Sequence, residues 1–161
     1  MKKQNTLYLT RAAIIAALYA ALTALSASFG IAIGPIQLRF SEALCILPVF
    51  TPAAIPGLFI GCILANLLSG AIPLDVVFGS VATLLGALGT YCLRNRPILS
   101  LIPPILANTV IVPLVIYFAY GDASLPLPLL FLSIFAGELV GAGVMGYLLR
   151  KSLTPFREKL K

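Results

Sequence analysis

The chain has 161 residues, of which 60% are apolar and 10% charged, and its mean hydropathy is +1.07. No soluble domain of this size has enough interior to hide that much apolar side chain. His is absent, and the formal charge of +6 is gathered at the chain ends and in one short loop, which excludes histidine acid–base chemistry and reads as membrane orientation rather than nucleic-acid binding.

In lipid only helices or a closed barrel satisfy the backbone. The apolar runs are continuous rather than alternating, so the chain is read as an all-α polytopic membrane protein. It forms a single transmembrane domain over 1–161, with six helices at about 9–29, 40–51, 53–68, 74–93, 98–120 and 127–149. The first follows Lys2, Lys3 and Arg11 and is longer than a signal-peptide core. Gly30 to Arg39 contains Gly and Pro and reads as a loop. The second has Ser41 as its N-cap and Glu42 in its first turn. Only about 12 residues follow before Pro52, roughly 18 Å of α-helix, so this span is short or tilted. Pro73 and Asp75 open the fourth.

The basic clusters test this count. They are the N-terminus, Arg94 with Arg96, and Arg150, Lys151, Arg157, Lys159 and Lys161. All belong in the cytoplasm. Four spans separate the first two clusters and two spans the last two, so both termini fall inside. The connection 121–124 carries no Lys or Arg and falls outside. Tyr8, Tyr91, Tyr120 and Tyr147 lie near span ends, as an aromatic belt requires.

Glu138 interrupts the last apolar run near its middle. A carboxylate at that depth is expensive and is expected to face the protein interior with a function. At about 1.5 Å per residue, Glu138 and Asn108 both fall near the midplane. Asn66 lies in the outer half of the third span, and Asp75, Arg39 and Glu42 lie at the outer face. Polar residues from the midplane outward describe a cup open to the outside and closed below. Phe131, Phe135 and Glu138 share a helix face, as do Asp75 and Phe78. Rings beside a carboxylate and an amide suit a flat, polar, hydrogen-bonding heterocycle. The structural alternatives are packing or lipid contact for the phenylalanines and interhelical hydrogen bonding for Asn66 and Asn108. For Glu138 the alternative is an ion pair with Arg39, and for Glu42 it is stabilisation of a helix dipole. Cys45, Cys62 and Cys92 lie singly in apolar runs and read as small apolar side chains. No catalytic residue, metal ligand or cofactor is expected.

The first span carries alanines every four residues in two registers, Ala12, Ala16, Ala20, Ala24 and Ala13, Ala17, Ala21. Such small-residue stripes let another helix approach closely. Two adjacent stripes make a face broad enough for a partner as well as for packing inside the bundle.

The segments RFSEALCILP, TPAAIPGLFIGCILAN, DVVFGSVATLLGALGTY and GELVGAG, with the alanine-rich first helix, resemble the QueT family. The wider resemblance is to substrate-binding S components of energy-coupling factor (ECF) importers. It covers nearly the whole chain and implies an S-component-like six-helix bundle in a bacterial cell membrane. It also implies a non-catalytic role in ATP-driven uptake of a queuosine precursor, a 7-deazaguanine base. The implied partners are a transmembrane T subunit, docked on Ala13 and Ala17 or in the register of Ala12, Ala16 and Ala20, and two cytoplasmic ATPases. A guanine-like edge offers two parallel donors that a carboxylate accepts together, and Glu138 is the candidate. Asn108 would read the carbonyl or ring nitrogen, a cationic aminomethyl group would sit near Asp75 or Glu42, and Phe78 or Phe135 would stack. The competing classes are an autonomous secondary transporter, for which no convincing internal repeat is evident, and a membrane-embedded enzyme, which without His and with few paired carboxylates has little to work with.

Overall fold

The computed structural model describes residues 2–31, 37–119 and 126–160, and every regular element among them is helical. The expected connection 121–124 and Tyr120 lie outside the described residues.

Helix α1 spans Lys2–Ser28, built largely of Ala and Leu, which lose little side-chain freedom in a helix. It ends at Gly30 in the left-handed region, φ 71°. The Ile31 N–H donates to Ser26 O at 3.3 Å and the Gly30 N–H to Ala27 O at 2.9 Å. This is the Schellman stop, which satisfies carbonyls that the ended helix would orphan. Helix α2 (Ala54–Leu68) stops the same way at Gly70, where Ala71 N–H reaches Asn66 O at 3.0 Å.

Between them lies a correction to the second span. Phe40–Val49 is a 3-10 helix of 10 residues, not an α-helix. At about 2.0 Å per residue it reaches about 20 Å, further than the same residues would as α-helix. Ser41 is not its cap. Arg39 holds the capping position without a side-chain bond, and the Phe40 N–H donates to Ser26 Oγ of α1 at 2.8 Å. Ser41 is buried, its hydroxyl 2.8 Å from that of Thr23. The neighbouring helix therefore supplies the polar partners that a local cap would have supplied.

Helices α1 and α2 run parallel and close. A Cβ on Gly57 would lie 2.8 Å from Ala12 O, and one on Gly61 2.9 Å from Ala16 O. This GxxxG contact fills the groove with Ala12 and Ala16, both buried. Helix α3 (Pro73–Cys92) carries Pro at its start, where the missing N–H costs nothing. A short 3-10 turn, Leu99–Leu101, leads into α4 (Ile102–Ala119). Gly86 and Gly89 of α3 seat against Pro104 and Pro103 of α4. Helix α5 (Leu127–Glu138) continues without a break through a π-helical stretch, Leu139–Met145, into α6 (Gly146–Leu153). The π-helical stretch was not expected from sequence.

Among the described residues, four helical runs are long and apolar enough to cross a membrane: Gln4–Ser28, Pro73–Cys92, Leu99–Ala119 and Leu127–Phe156. The other two segments, Phe40–Val49 and Ala54–Leu68, are shorter apolar helices. The Arg150 guanidinium gathers one end of the bundle. Its Nη1 donates to Ser100 Oγ at 2.6 Å and to Pro97 O at 3.2 Å, and its Nη2 to Arg94 O at 3.4 Å. Because α2 runs parallel to α1 and α3 returns from it, the Arg94 turn sits at the same end as the start of α1. Arg94, Arg150 and the start of α1 thus share one end of the molecule.

Candidate ligand-binding site

The site begins at the descent of the chain into the 3-10 helix. A Cβ on Gly137 would strike Gln37 O, and one on Gly141 would lie 3.2 Å from Arg39 O. Residues 37–39 therefore already lie beside the middle of the last helical run, below the outer face. This carries Glu42 to the depth of Glu138 and corrects its expected place at the outer edge. With 3.0 residues per turn, positions i and i+3 of a 3-10 helix eclipse. Arg39, Glu42 and Cys45 consequently share one side of it.

Glu42 is buried and takes three donors. The Tyr19 hydroxyl donates to its Oε1 at 2.7 Å, and Asn108 Nδ2 and Cys45 Sγ donate to its Oε2 at 3.1 and 3.3 Å. Asn108 Nδ2 gives its second proton to Glu138 Oε1 at 3.0 Å. One amide thus bridges two carboxylates from helices far apart in sequence. Glu138 is only 8% exposed, and its Oε2 has no hydrogen-bond partner among the described residues. A buried polar atom without a partner is costly and calls for an explanation.

That oxygen belongs to a residue that lines a small cavity of about 20 Å³, room for about one water molecule. Of the residues expected to bind ligand, Arg39, Glu42, Asp75, Asn108 and Glu138 line it. Three carboxyl side chains and one guanidinium share the lining, so the wall is rich in acceptors. Gln37, Cys62, Gly79, Thr83, Val112 and Ile134 complete the lining, and sequence reasoning did not single these out.

Other expected positions fall elsewhere. Asn66 is buried outside the lining, with its Nδ2 3.4 Å from Asp75 O and 3.7 Å from Cys62 Sγ, and it joins α2 to the start of α3. Phe78 and Phe135 are exposed on the outside of the bundle. The inward faces run through Gly79 and Ile134, four residues from Asp75 and Glu138, rather than through the phenylalanines three residues away. A rotation of the helix face by one residue exchanges a ring for a small or aliphatic wall. Tyr19 and Cys45 were missed as partners of Glu42. The signal was present: Tyr19, Thr23 and Ser26 recur at helical spacing on the buried face of α1.

The alanine registers separate. Ala12 and Ala16 are buried against α2, and Ala20 packs against the same core. That register is used inside the bundle and is corrected as a docking face. Ala13 and Ala17 are exposed, flanked by the exposed Ile14 and Leu18.

Among the described residues there is no group of three or more His, Cys, Asp or Glu able to hold a metal ion. The arrangement offers acceptors to a donor-bearing ligand.

A family described as QueT transporter matches residues 9–155. A curated relative named "Queuosine precursor transporter QueT", from Lactococcus lactis subsp. cremoris (strain MG1363), is 40% identical over 84 residues. That match covers 52% of this chain and 49% of the relative, so the chain spans about half the length of the protein it matches. No solved structure matches.

Proposed function

This chain belongs to the QueT transporter family, and from that premise we propose that it is the substrate-binding membrane subunit of an ECF importer. It captures a queuosine precursor, a 7-deazaguanine base, from outside a bacterial cell for ATP-driven uptake. The name of the relative supports the substrate. The observation that carries the reading at the site is Glu138 Oε2, a buried acceptor without a partner beside a cavity. A ring N–H or exocyclic amine of the base supplies the missing donor. Glu138 Oε1 accepts from Asn108 and has a second lone pair, so the second donor of a guanine edge shares that oxygen with the amide.

The cavity of about 20 Å³ is too small for a fused-ring base. The described conformation is therefore closed, and entry of ligand requires residues 37–39 or the outer ends of α3 and α5 to move. Energy comes from outside the chain. The exposed Ala13 and Ala17 face docks on a T subunit, which two cytoplasmic ATPases serve. The single transmembrane domain sits with both termini in the cytoplasm, and the chain itself catalyses nothing. Uptake of labelled 7-deazaguanine by cells expressing this chain tests the proposal. Accumulation is expected only when the T subunit and both ATPases are co-expressed. Equal accumulation without them would contradict the ECF reading, and absence of binding by the purified chain would contradict the substrate.

A further inference from the structure

We propose that Arg150 and Arg157 form a binding site for the phosphate of an anionic phospholipid at the rim of the bundle. The site lies at the end that carries Arg94, away from the cavity, and stands independently of the substrate and partners proposed above. The last helical run ends in a charge imbalance. Residues 150–161 carry five Lys or Arg against one acid, Glu158. Glu42, Asp75 and Glu138 are committed to the cavity wall. Among the described residues, Arg150 donates to neutral oxygens, Ser100 Oγ at 2.6 Å, Pro97 O at 3.2 Å and Arg94 O at 3.4 Å. Arg94 gives its Nη1 to Tyr91 O at 3.1 Å and rests 4.3 Å from the centre of the Tyr91 ring. Arg157, seven residues beyond Arg150, is close enough for the two charges to repel. Its Nε is buried and has no acceptor among the described residues. Two guanidinium groups held together, one with an orphaned donor, call for an anion.

The flank says which anion. Tyr147, Leu148 and Phe156 are 46%, 56% and 54% exposed, and Lys151 beside them is exposed as well. They lie on the run Leu127–Phe156, which is long and apolar enough to cross a membrane. An apolar surface that ends in cations complements a lipid, with acyl chains against Tyr147 and Leu148 and the headgroup at the arginines. Basic residues at the end of a span attract anionic lipid. A guanidinium adds geometry to that attraction, because two parallel N–H groups match two phosphate oxygens. A turn of the long Arg157 side chain brings its Nε–H and Nη–H edge onto the phosphate and gives the orphaned donor its acceptor.

Native mass spectrometry of the purified full chain in neutral detergent tests this, with phosphatidylglycerol and phosphatidylcholine of the same acyl chains as probes. Phosphatidylglycerol is expected to bind about tenfold tighter or more. Glycerol 3-phosphate, a phosphate without acyl chains, is expected not to displace it at equal concentration. Two variants separate a built site from general basicity. Arg157→Lys keeps the charge but loses Nε and the planar fork, and is expected to weaken phosphatidylglycerol binding about tenfold. Arg96→Gln removes a whole charge from the exposed turn and is expected to weaken it about fivefold at most. Equal affinity for the two lipids overturns the inference and leaves the arginine pair to a protein partner. Full displacement by glycerol 3-phosphate overturns the lipid as the source of the phosphate. Native affinity in Arg157→Lys, or a larger loss in Arg96→Gln, overturns the site in favour of surface charge alone. The lipid comparison and the displacement use the native chain and decide even if a variant fails to fold.

Discussion

The Tyr19 hydroxyl lies 2.7 Å from Glu42 Oε1, which ties helix α1 to the wall of the cavity. Thr23 and Ser26, on the same face of α1, bond to Ser41 and to the Phe40 N–H. Three side chains on successive turns thus fix the 3-10 helix that presents Arg39 and Glu42. Hydrogen bonds to a charged group contribute about 1.5–3 kcal/mol. Tyr19→Phe removes one of three donors from a buried carboxylate and is expected to lower stability by about that amount. Thermal or denaturant unfolding in detergent checks this, and unchanged stability would mean that the bond is idle.

Two neighbouring alanines are expected to respond in opposite ways to the same change. Ala17 is exposed, whereas Ala16 is buried against Gly61. Ala17→Trp is expected to leave folding and ligand affinity intact while abolishing co-purification with the T subunit. Ala16→Trp forces apart two backbones in contact and is expected to unfold the protein, since overpacking costs about 1–3 kcal/mol even for a few added methylenes. Normal complex formation by Ala17→Trp would remove the docking role from this face.

Gly137 allows the chain at Gln37 to pass against the last helical run, with no room for a methyl group. Gly137→Ala is expected to displace residues 37–39, cost about 1–3 kcal/mol and weaken ligand binding. The unfolding midpoint and calorimetry measure the two effects. A fully stable variant with native affinity would show that this contact does not set the cavity wall.

The end of the bundle that carries Arg94, Arg150 and the N-terminus is expected to face the cytoplasm. A cysteine introduced at Asn95 should resist an impermeant maleimide in intact cells and react after permeabilisation. A cysteine at Ser69, at the opposite end, should react in both. External labelling at position 95 would invert or refute the orientation.

Much of the helical layout was legible because long apolar runs broken by Gly and Pro leave few alternatives. Gly30 and Gly70 stop helices where the sequence suggested loops. The 3-10 geometry of Phe40–Val49 was not legible, since its apolar pattern fits either helix and its first N–H is met by a tertiary partner, Ser26 of α1, rather than by a local cap. Glu138 and Asn108 were legible as a pair because depth follows from counting residues. Glu42 joined them only because the preceding segment descends beside Gly137 and Gly141, a tertiary fact with no local signature. Phe78 and Phe135 were misassigned for a simple reason. Residues three and four positions away lie on either side of a helical carboxylate, and sequence alone does not say which side faces the cavity.

The claim on which the account turns is that Glu138 Oε2 awaits a donor from the ligand. Glu138→Gln tests it cleanly, because the remaining carbonyl oxygen can still accept from Asn108 while the amide nitrogen replaces the open oxygen. A donor then faces a donor. Calorimetry with a 7-deazaguanine is expected to show a loss on the order of 2–4 kcal/mol, roughly 30- to 1000-fold in affinity, with the fold retained. Native affinity in a folded Glu138→Gln protein would contradict the account and leave Glu138 as a structural partner of Asn108.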